Sequence, residues 1–322
     1  MKISVVTTLY NSERYIAEFT RRIESALGEV GCGDYEIVFV NDGSPDNSLD
    51  VALDVCRTNP KVRVVDLARN FGHHPAIMVG LRETDGDYIF LIDVDLEEAP
   101  ENLVAFYQDL VESPDVDSVY GVWRRHGESF ARRSASEAFY ALFNLLSDSA
   151  IPRNLVLTRL MTRRYVNALL ETWNWDVAIA PVMGSLGFKH HEREIERVYK
   201  GSTNYSVLRR FRMVAESVVS FSTKPLHYIF LIGLAVCMLS VVMTGYAIGA
   251  YIYTGNAVAG WYSVFVSLWF IGGLSMMSMG VLGLYIGRIF EQVKGRPRAI
   301  VRQRYTRDEL LSRPEPAQRN AV

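Results

Sequence analysis

Two hydrophobic rhythms alternate along the first part of the chain. Segments 3–8, 36–40, 62–66, 88–92 and 118–122 are short, apolar and rich in β-branched and aromatic residues, which predicts strands. Between them, 13–27, 48–58, 75–83 and 101–112 repeat apolar residues at the spacing of one helix face. Such a series predicts an α/β fold: a Rossmann-like, mostly parallel sheet with helices on both faces, its ligands at the carboxyl ends of the strands. The loops Tyr10-Asn11-Ser12, Asn41-Asp42-Gly43-Ser44, Arg69-Asn70-Phe71-Gly72-His73 and Asp93-Val94-Asp95 each come after a strand and are expected to gather on one edge.

Further on the rhythm changes. No Asp, Glu, Lys or Arg occurs between Lys224 and Arg288, and two apolar runs, about 226–253 and 261–286, each exceed the ~20 residues that cross a bilayer. The break at Thr254-Gly255-Asn256 predicts a two-helix transmembrane hairpin over 226–287. Arg209, Arg210, Arg212 and Lys224 precede it, and Arg288, Lys294, Arg296, Arg298, Arg302 and Arg304 come after it, while the connecting loop carries no cation. Both flanks are therefore expected on the cytoplasmic side of an inner (plasma) membrane, with the protein multi-pass. Leu208, Phe211, Val214 and Val218 set against the arginines suit an interfacial helix, assigned to 205–225.

These boundaries leave 1–204 as a cytosolic catalytic domain, 288–305 as a basic juxtamembrane segment and 306–322, polar with Pro314 and Pro316, as a disordered tail. The N-terminus, Met1-Lys2-Ile3-Ser4, lacks secretory-signal features, which fits a cytosolic start. Gly245 with Gly249 and Gly283 with Gly287 have the spacing that lets helices approach closely, either within the hairpin or in a homo-oligomer.

Composition narrows the partners. With 322 residues and 49% apolar content the chain can bury a real core. A net charge of -2, and no basic face interleaved with aromatics in the soluble part, predict no nucleic-acid partner. Cys32, Cys56 and Cys237 lack metal-ligand spacing and are expected reduced.

The chemistry concentrates where the apolar run Tyr88-Ile89-Phe90-Leu91-Ile92 meets Asp93, Asp95, Glu97 and Glu98. Carboxylates at a strand end can hold a hard cation, which recruits one or two of them together with the oxygens of a substrate diphosphate. The other reading is an acidic turn that starts the helix at Pro100. Asp42-Gly43 is a turn signal, and an acid at that place can also accept from a nucleoside. Neither Gly-x-Gly-x-x-Gly nor a P-loop pattern is present. Arg124, Arg125, Arg132 and Arg133 lie beyond the last predicted strand, with Arg132 and Ser136 on one helical face; they suit either a phosphate or an anionic lipid surface.

Taken together, Val5-Val6-Thr7-Thr8-Leu9-Tyr10-Asn11-Ser12-Glu13, Asn41-Asp42-Gly43-Ser44, Arg69-Asn70-Phe71-Gly72-His73 and Asp93-Val94-Asp95-Leu96-Glu97 resemble family 2 glycosyltransferases of the GT-A fold. The resemblance is to the polyprenyl-phosphate group, of dolichol-phosphate-mannose-synthase and bactoprenol-glucosyltransferase type. Ile151-Pro152-Arg153-Asn154, Arg159-Leu160-Met161, Gly201-Ser202-Thr203-Asn204 and Tyr285-Ile286-Gly287-Arg288 extend it.

This resemblance implies a nucleotide-sugar donor, UDP- or GDP-linked, held by Tyr10, Glu13, Asp42, Asn70, His73, Asp93 and Lys200. It implies Mg2+ or Mn2+ at Asp93, Asp95 and Glu97, and a polyprenyl phosphate acceptor held by Arg124, Arg132, Arg133 and Ser136. Asp93, Asp95, Arg124 and Arg132 would carry an inverting transfer whose nucleophile is the lipid phosphate. Were the acceptor a hydroxyl, Asp176 would be the base. The chain departs from the family pattern at Thr8, Asn41, Glu97 and Leu157-Thr158. The rival readings are a hydroxyl-directed membrane glycosyltransferase in polysaccharide assembly and a non-catalytic nucleotide-sugar-binding scaffold.

Overall fold

A computed structural model describes residues 1–123, 155–172, 179–196, 224–254, 260–293 and 299–312. Two compact units emerge: one from Met1–Ser129, Ile151–Asn204 and Arg296–Val322, the other from Phe130–Ala150 and Tyr205–Gly295.

The first unit begins as the hydrophobic rhythm predicts. Strands Lys2–Leu9 (β1), Asp34–Asn41 (β2), Val62–Leu67 (β3), Tyr88–Leu91 (β4) and Ser118–Val122 (β5) alternate with helices Ile16–Glu29 (α1), Ser48–Thr58 (α2), His73–Arg82 (α3) and Asn102–Glu112 (α4). Ile3, Val5, Val6 and Leu9 of β1 are all fully buried, as a central parallel strand covered on both faces requires. On α1, Ile16, Phe19, Ile23, Ala26 and Leu27 form the stripe that packs onto the sheet, with Phe19 edge-on to Phe39 at 6.1 Å.

Leu155–Thr162 (β6), Arg163–Thr172 (α5), Ile179–Ser185 (α6), His190–Glu194 (β7), Val301–Tyr305 (β8) and Arg307–Ser312 (α9) complete the described part of this unit. The eight strands form one sheet in the order β7-β5-β6-β4-β1-β2-β3-β8. Its centre, β4-β1-β2-β3, is parallel, whereas β6 runs antiparallel to both β4 and β5, and β8 antiparallel to β3. The order around β1 reverses between β1 and β4, which opens a crevice outside their carboxyl ends.

Two boundaries differ from the expectation. Residues 301–305, expected in a basic juxtamembrane segment, are an edge strand, and 307–312, expected in a disordered tail, are a helix. The pattern Val-Arg-Gln-Arg-Tyr supplies the reason: alternate residues pack against the sheet while Arg302 and Arg304 meet the carboxylates of Asp66 and Glu83. Residues 313–322 lie outside the described residues.

In the second unit, Lys224–Thr254 (α7) and Trp261–Val293 (α8) are continuous helices of 31 and 33 residues. Phe230, Met238, Val242, Leu268, Phe270, Met276 and Phe290 are exposed, a surface water does not favour. Among the described residues one stretch, Phe270–Gly287, is long and apolar enough to cross a membrane, and Leu226–Val236 is a shorter apolar stretch.

Candidate functional site

The loops after β1 and β2 are stitched into one body. Asn11 N–H donates to Ser44 Oγ at 2.8 Å, Ser12 N–H to Ser48 Oγ at 2.9 Å, and Asn47 N–H to Glu13 Oε2 at 3.1 Å. Asp46 sits at the knot: although burial works against its charge, hydrogen bonds from the Ser44 and Ser48 hydroxyls and from the Glu13 N–H hold its pKa at about 2. Asn11 takes the left-handed conformation (φ 53°), which an asparagine tolerates better than most residues.

Onto this body folds the loop after β3. Gly43, at φ +60°, lies so close that a Cβ there would come 2.4 Å from Asn70 N. Asp42, 3% exposed, accepts from Phe71 N–H at 2.7 Å and Gly72 N–H at 3.0 Å. Burial raises its pKa, and these two backbone donors partly oppose the rise. Thr8, Tyr10, Asp42, Asn70, Gly72 and His73 thereby line one cavity of about 250 Å³ at the carboxyl ends of β1, β2 and β3. Four of the residues expected to bind a donor meet here: Tyr10, Asp42, Asn70 and His73. Thr8 and Gly72 join them without having been assigned that role, although both lie within the motifs at 5–13 and 69–73.

His73 links the cavity to the acidic turn. Its Nδ1 lies 3.1 Å from Thr8 Oγ1 and its Nε2 3.5 Å from Asp93 Oδ1. Desolvation lowers its pKa, opposed by the charges of Asp42 and Asp95, so the ring is neutral near pH 7. Beyond it, Asp95 Oδ1 accepts from Glu97 N–H at 3.0 Å, and Leu96 between them is held left-handed at φ 59°. A bulky residue in that region costs about 1–2 kcal/mol, so the turn is strained where its carboxylates are displayed.

The acids beyond Asp93 do not act alike. Glu98, 3% exposed, faces the sheet and accepts from the Thr158 N–H and hydroxyl, while Glu101 forms a bidentate pair with Arg22. Asp93, Asp95 and Glu97 remain at the strand end, but among the described residues no three His, Cys, Asp or Glu side chains converge as a metal cage. Glu13 is not among the cavity's lining residues; it caps the start of α2 through Asn47. Arg124, Arg132, Arg133, Ser136, Asp176 and Lys200 lie outside the described residues.

The model of the family described as glycosyl transferase family 2 matches residues 4–178, more than half of the chain and every loop of this site. The chain belongs to glycosyl transferase family 2. Relatives match it nearly end to end. A Mycobacterium tuberculosis protein with a glycosyltransferase name is 39% identical over 98% of this chain and 91% of its own length. The prophage bactoprenol glucosyl transferase homolog of Escherichia coli is 32% identical over 94% and 99%, and the bactoprenol glucosyl transferase of Shigella phage SfX 32% over 94% and 100%. Among solved structures, the mannosyltransferase PcManGT of Pyrobaculum calidifontis, in complex with GDP-Man and Mn2+, superposes with a TM-score of 0.48 at 16% identity, covering 90% of this chain and 86% of that one. The family 2 chain is thus a glycosyltransferase whose resemblance to bactoprenol glucosyltransferases holds over its length.

Proposed function

We propose that this family 2 enzyme transfers a sugar from a nucleoside-diphosphate sugar to a polyprenyl phosphate at the cytoplasmic face of a membrane. The observation that carries this reading is the full-length likeness to bactoprenol glucosyl transferases: coverage of 94% leaves too few residues unmatched to omit the two apolar helices that come after the catalytic unit. Such helices suit an acceptor that is itself held in a membrane.

Four of the cavity's residues take roles in this reaction. Tyr10, 49% exposed at the cavity rim, offers its ring face to a nucleobase. Asn70 and Asp42 present amide and carboxylate oxygen to the nucleoside, and neutral His73 holds Asp93 toward the diphosphate. Asp93, Asp95 and Glu97 do not converge as a three-ligand cage, but one or two of these carboxylates at a strand end would suffice for Mg2+ or Mn2+ once diphosphate oxygens complete its shell. When bound, the cation would neutralise charge on the departing nucleoside diphosphate.

The acceptor phosphate is anionic at neutral pH, with a second pKa near ~6 in comparable monoesters, so placement matters more than a base. Arg124, Arg132, Arg133 and Ser136 are the proposed ligands of that phosphate, and Lys200 a further donor contact. Attack from the face opposite the leaving group inverts the anomeric carbon.

The test is to incubate purified enzyme in detergent with undecaprenyl phosphate, radiolabelled UDP- and GDP-sugars and Mn2+ or Mg2+. Organic-extractable label, abolished by EDTA and by Asp95→Ala, is expected. Failure of every donor to label the lipid, with correctly folded enzyme, would sink the reading.

A further inference from the structure

The structure assigns to Arg302, on the strand C-terminal to the apolar helices, the role of a positioning residue for the donor cavity; the assignment rests on that cavity being the sugar-nucleotide site. Three observations carry it. First, β8 continues past the end of β3 into the loop that forms the cavity wall: Ala68 N–H donates to Ile300 O at 2.8 Å, and the pairing shifts register at Asp66 and Leu67. An irregularity of this sort bends a strand end and re-aims the adjoining loop, here Arg69 to His73. Ala299, Val301 and Phe71 pack against one buried cluster that includes Val40, Leu67 and Ala76, so the loop is gripped from outside by β8 while Asp42 grips it from inside.

Second, Arg302 closes a polar relay. Its guanidinium donates to Ala68 O and lies 3.4 Å from Asp66 Oδ2, a carboxylate only 2% exposed. Asp66 Oδ1 accepts from Asn41 Nδ2 at 2.8 Å, Asn41 Oδ1 accepts from Ser44 N–H at 3.3 Å, and Ser44 Oγ accepts from Asn11 N–H at 2.8 Å. The relay therefore runs from β8 through β3 and β2 to the residue next to Tyr10. A buried carboxylate stripped of its cation must lean harder on the donor it keeps, Asn41 Nδ2, and so draws the Asn41 side chain away from Ser44. Third, the neighbouring cation of the same strand has no such route: Arg304 forms a bidentate pair with Glu83, with Nη2 to Oε1 at 2.7 Å, at the far end of α3 from the cavity.

The third observation supplies the control. Arg302→Ala and Arg304→Ala each remove one cation from β8, so a merely structural role would move both alike. The relay predicts that Arg302→Ala raises KM for the sugar nucleotide about tenfold, leaving kcat and the KM for undecaprenyl phosphate within about twofold. Arg302→Lys should recover most of the loss, and Arg304→Ala should leave donor KM at the parent value. Hydrogen exchange in the protein without substrates gives a second readout: Asn11 and Ser44 amides should exchange faster in Arg302→Ala but not in Arg304→Ala. Equal donor KM, or equal exchange, in the two alanine variants overturns the proposal. Should the parent protein transfer no sugar at all, the functional reading fails, and the exchange experiment still decides the relay.

Discussion

Gly43 shows how closely one residue couples pocket and stability. It occupies φ +60°, and a methyl group there would come within 2.4 Å of Asn70 N and 2.6 Å of the Arg69 carbonyl carbon. These are backbone atoms, which cannot swing aside. Gly72 also has a positive φ, +101°, yet only Pro75 Cδ at 3.9 Å would face its methyl. Gly72→Ala should cost about 1–3 kcal/mol from the backbone alone, because φ 101° with ψ 156° is a conformation that essentially only glycine adopts. Gly43→Ala adds a displaced loop, so a loss of roughly 2–4 kcal/mol and a weaker binding of UDP or GDP are expected. Denaturant unfolding and nucleotide titration check both; equal costs for the two variants would show that the close approach of the loops is not what fixes glycine at 43.

His74 gives this scale its pH dependence. Burial, reinforced by its neighbour His73, depresses its pKa to about 4 from an ordinary 6.5, and its Nδ1 is buried without a hydrogen-bond partner. The folded state therefore holds the ring neutral while the unfolded chain charges it. The sign is then set: the stability that His74 contributes is complete above pH 6.5 and is lost as pH falls toward 4. His74→Gln, which does not titrate, should flatten the decline in Tm between pH 6.5 and pH 4. Parallel Tm profiles for the two proteins would remove His74 from the acid sensitivity.

At the scale of elements, the acidic turn depends on a strand far from it in sequence. Glu98 reaches back to β6, where Thr158 donates from both N–H and hydroxyl, and this anchors the turn that displays Asp93 and Asp95. Thr158→Val keeps the shape and strand preference but leaves the buried carboxylate short of a donor, at a cost of about 1–3 kcal/mol. The same variant should weaken Mn2+-dependent donor binding while sparing metal-free nucleotide binding, read by calorimetry with and without the ion. Unchanged stability would mean that Glu98 is satisfied elsewhere.

This anchor was not legible in the sequence, although the strands on either side were. β1 to β5 announce themselves because each is a short apolar run between turn residues, and the boundaries agree within a few positions. In β6, Leu155–Thr162, Arg159 interrupts the pattern. A mid-strand arginine suggests a solvated position, but here it is 2% exposed, its guanidinium 5.9 Å from the Tyr120 ring centroid. β7 reads His-His-Glu-Arg-Glu and suggests a solvated stretch. It is an edge strand whose His190 stacks edge-on to Tyr120 and Tyr165, and charged residues suit such an edge. The site loops were legible because turn chemistry is local; which carboxylate faces the cavity and which faces β6 is decided by contacts across sixty residues of chain, beyond the reach of any local pattern.

For the whole molecule, the sheet constrains the membrane topology that the helices alone leave open. One stretch among the described residues is long and apolar enough to cross, which by itself would allow a single pass. However, β3 precedes the apolar helices and β8 comes after them, and the two are paired in one sheet. Strands of one sheet lie on one side of a membrane, so the chain between residues 196 and 299 must cross an even number of times. Under the proposed reading that number is two, carried by α7 of 31 residues and α8 of 33 residues, which would take Phe270, Met276 and Met279 out of water. The proposed reading puts both flanks in the cytoplasm, as the positive-inside rule would for the flanking arginines. Single cysteines test this in intact cells with a membrane-impermeant maleimide: Asn256→Cys, between the helices, should label from outside, whereas Glu309→Cys should label only after permeabilisation. Labelling of Glu309→Cys but not Asn256→Cys would reverse the orientation, and opposite behaviour of residues on the two flanks of the helices would contradict the sheet itself.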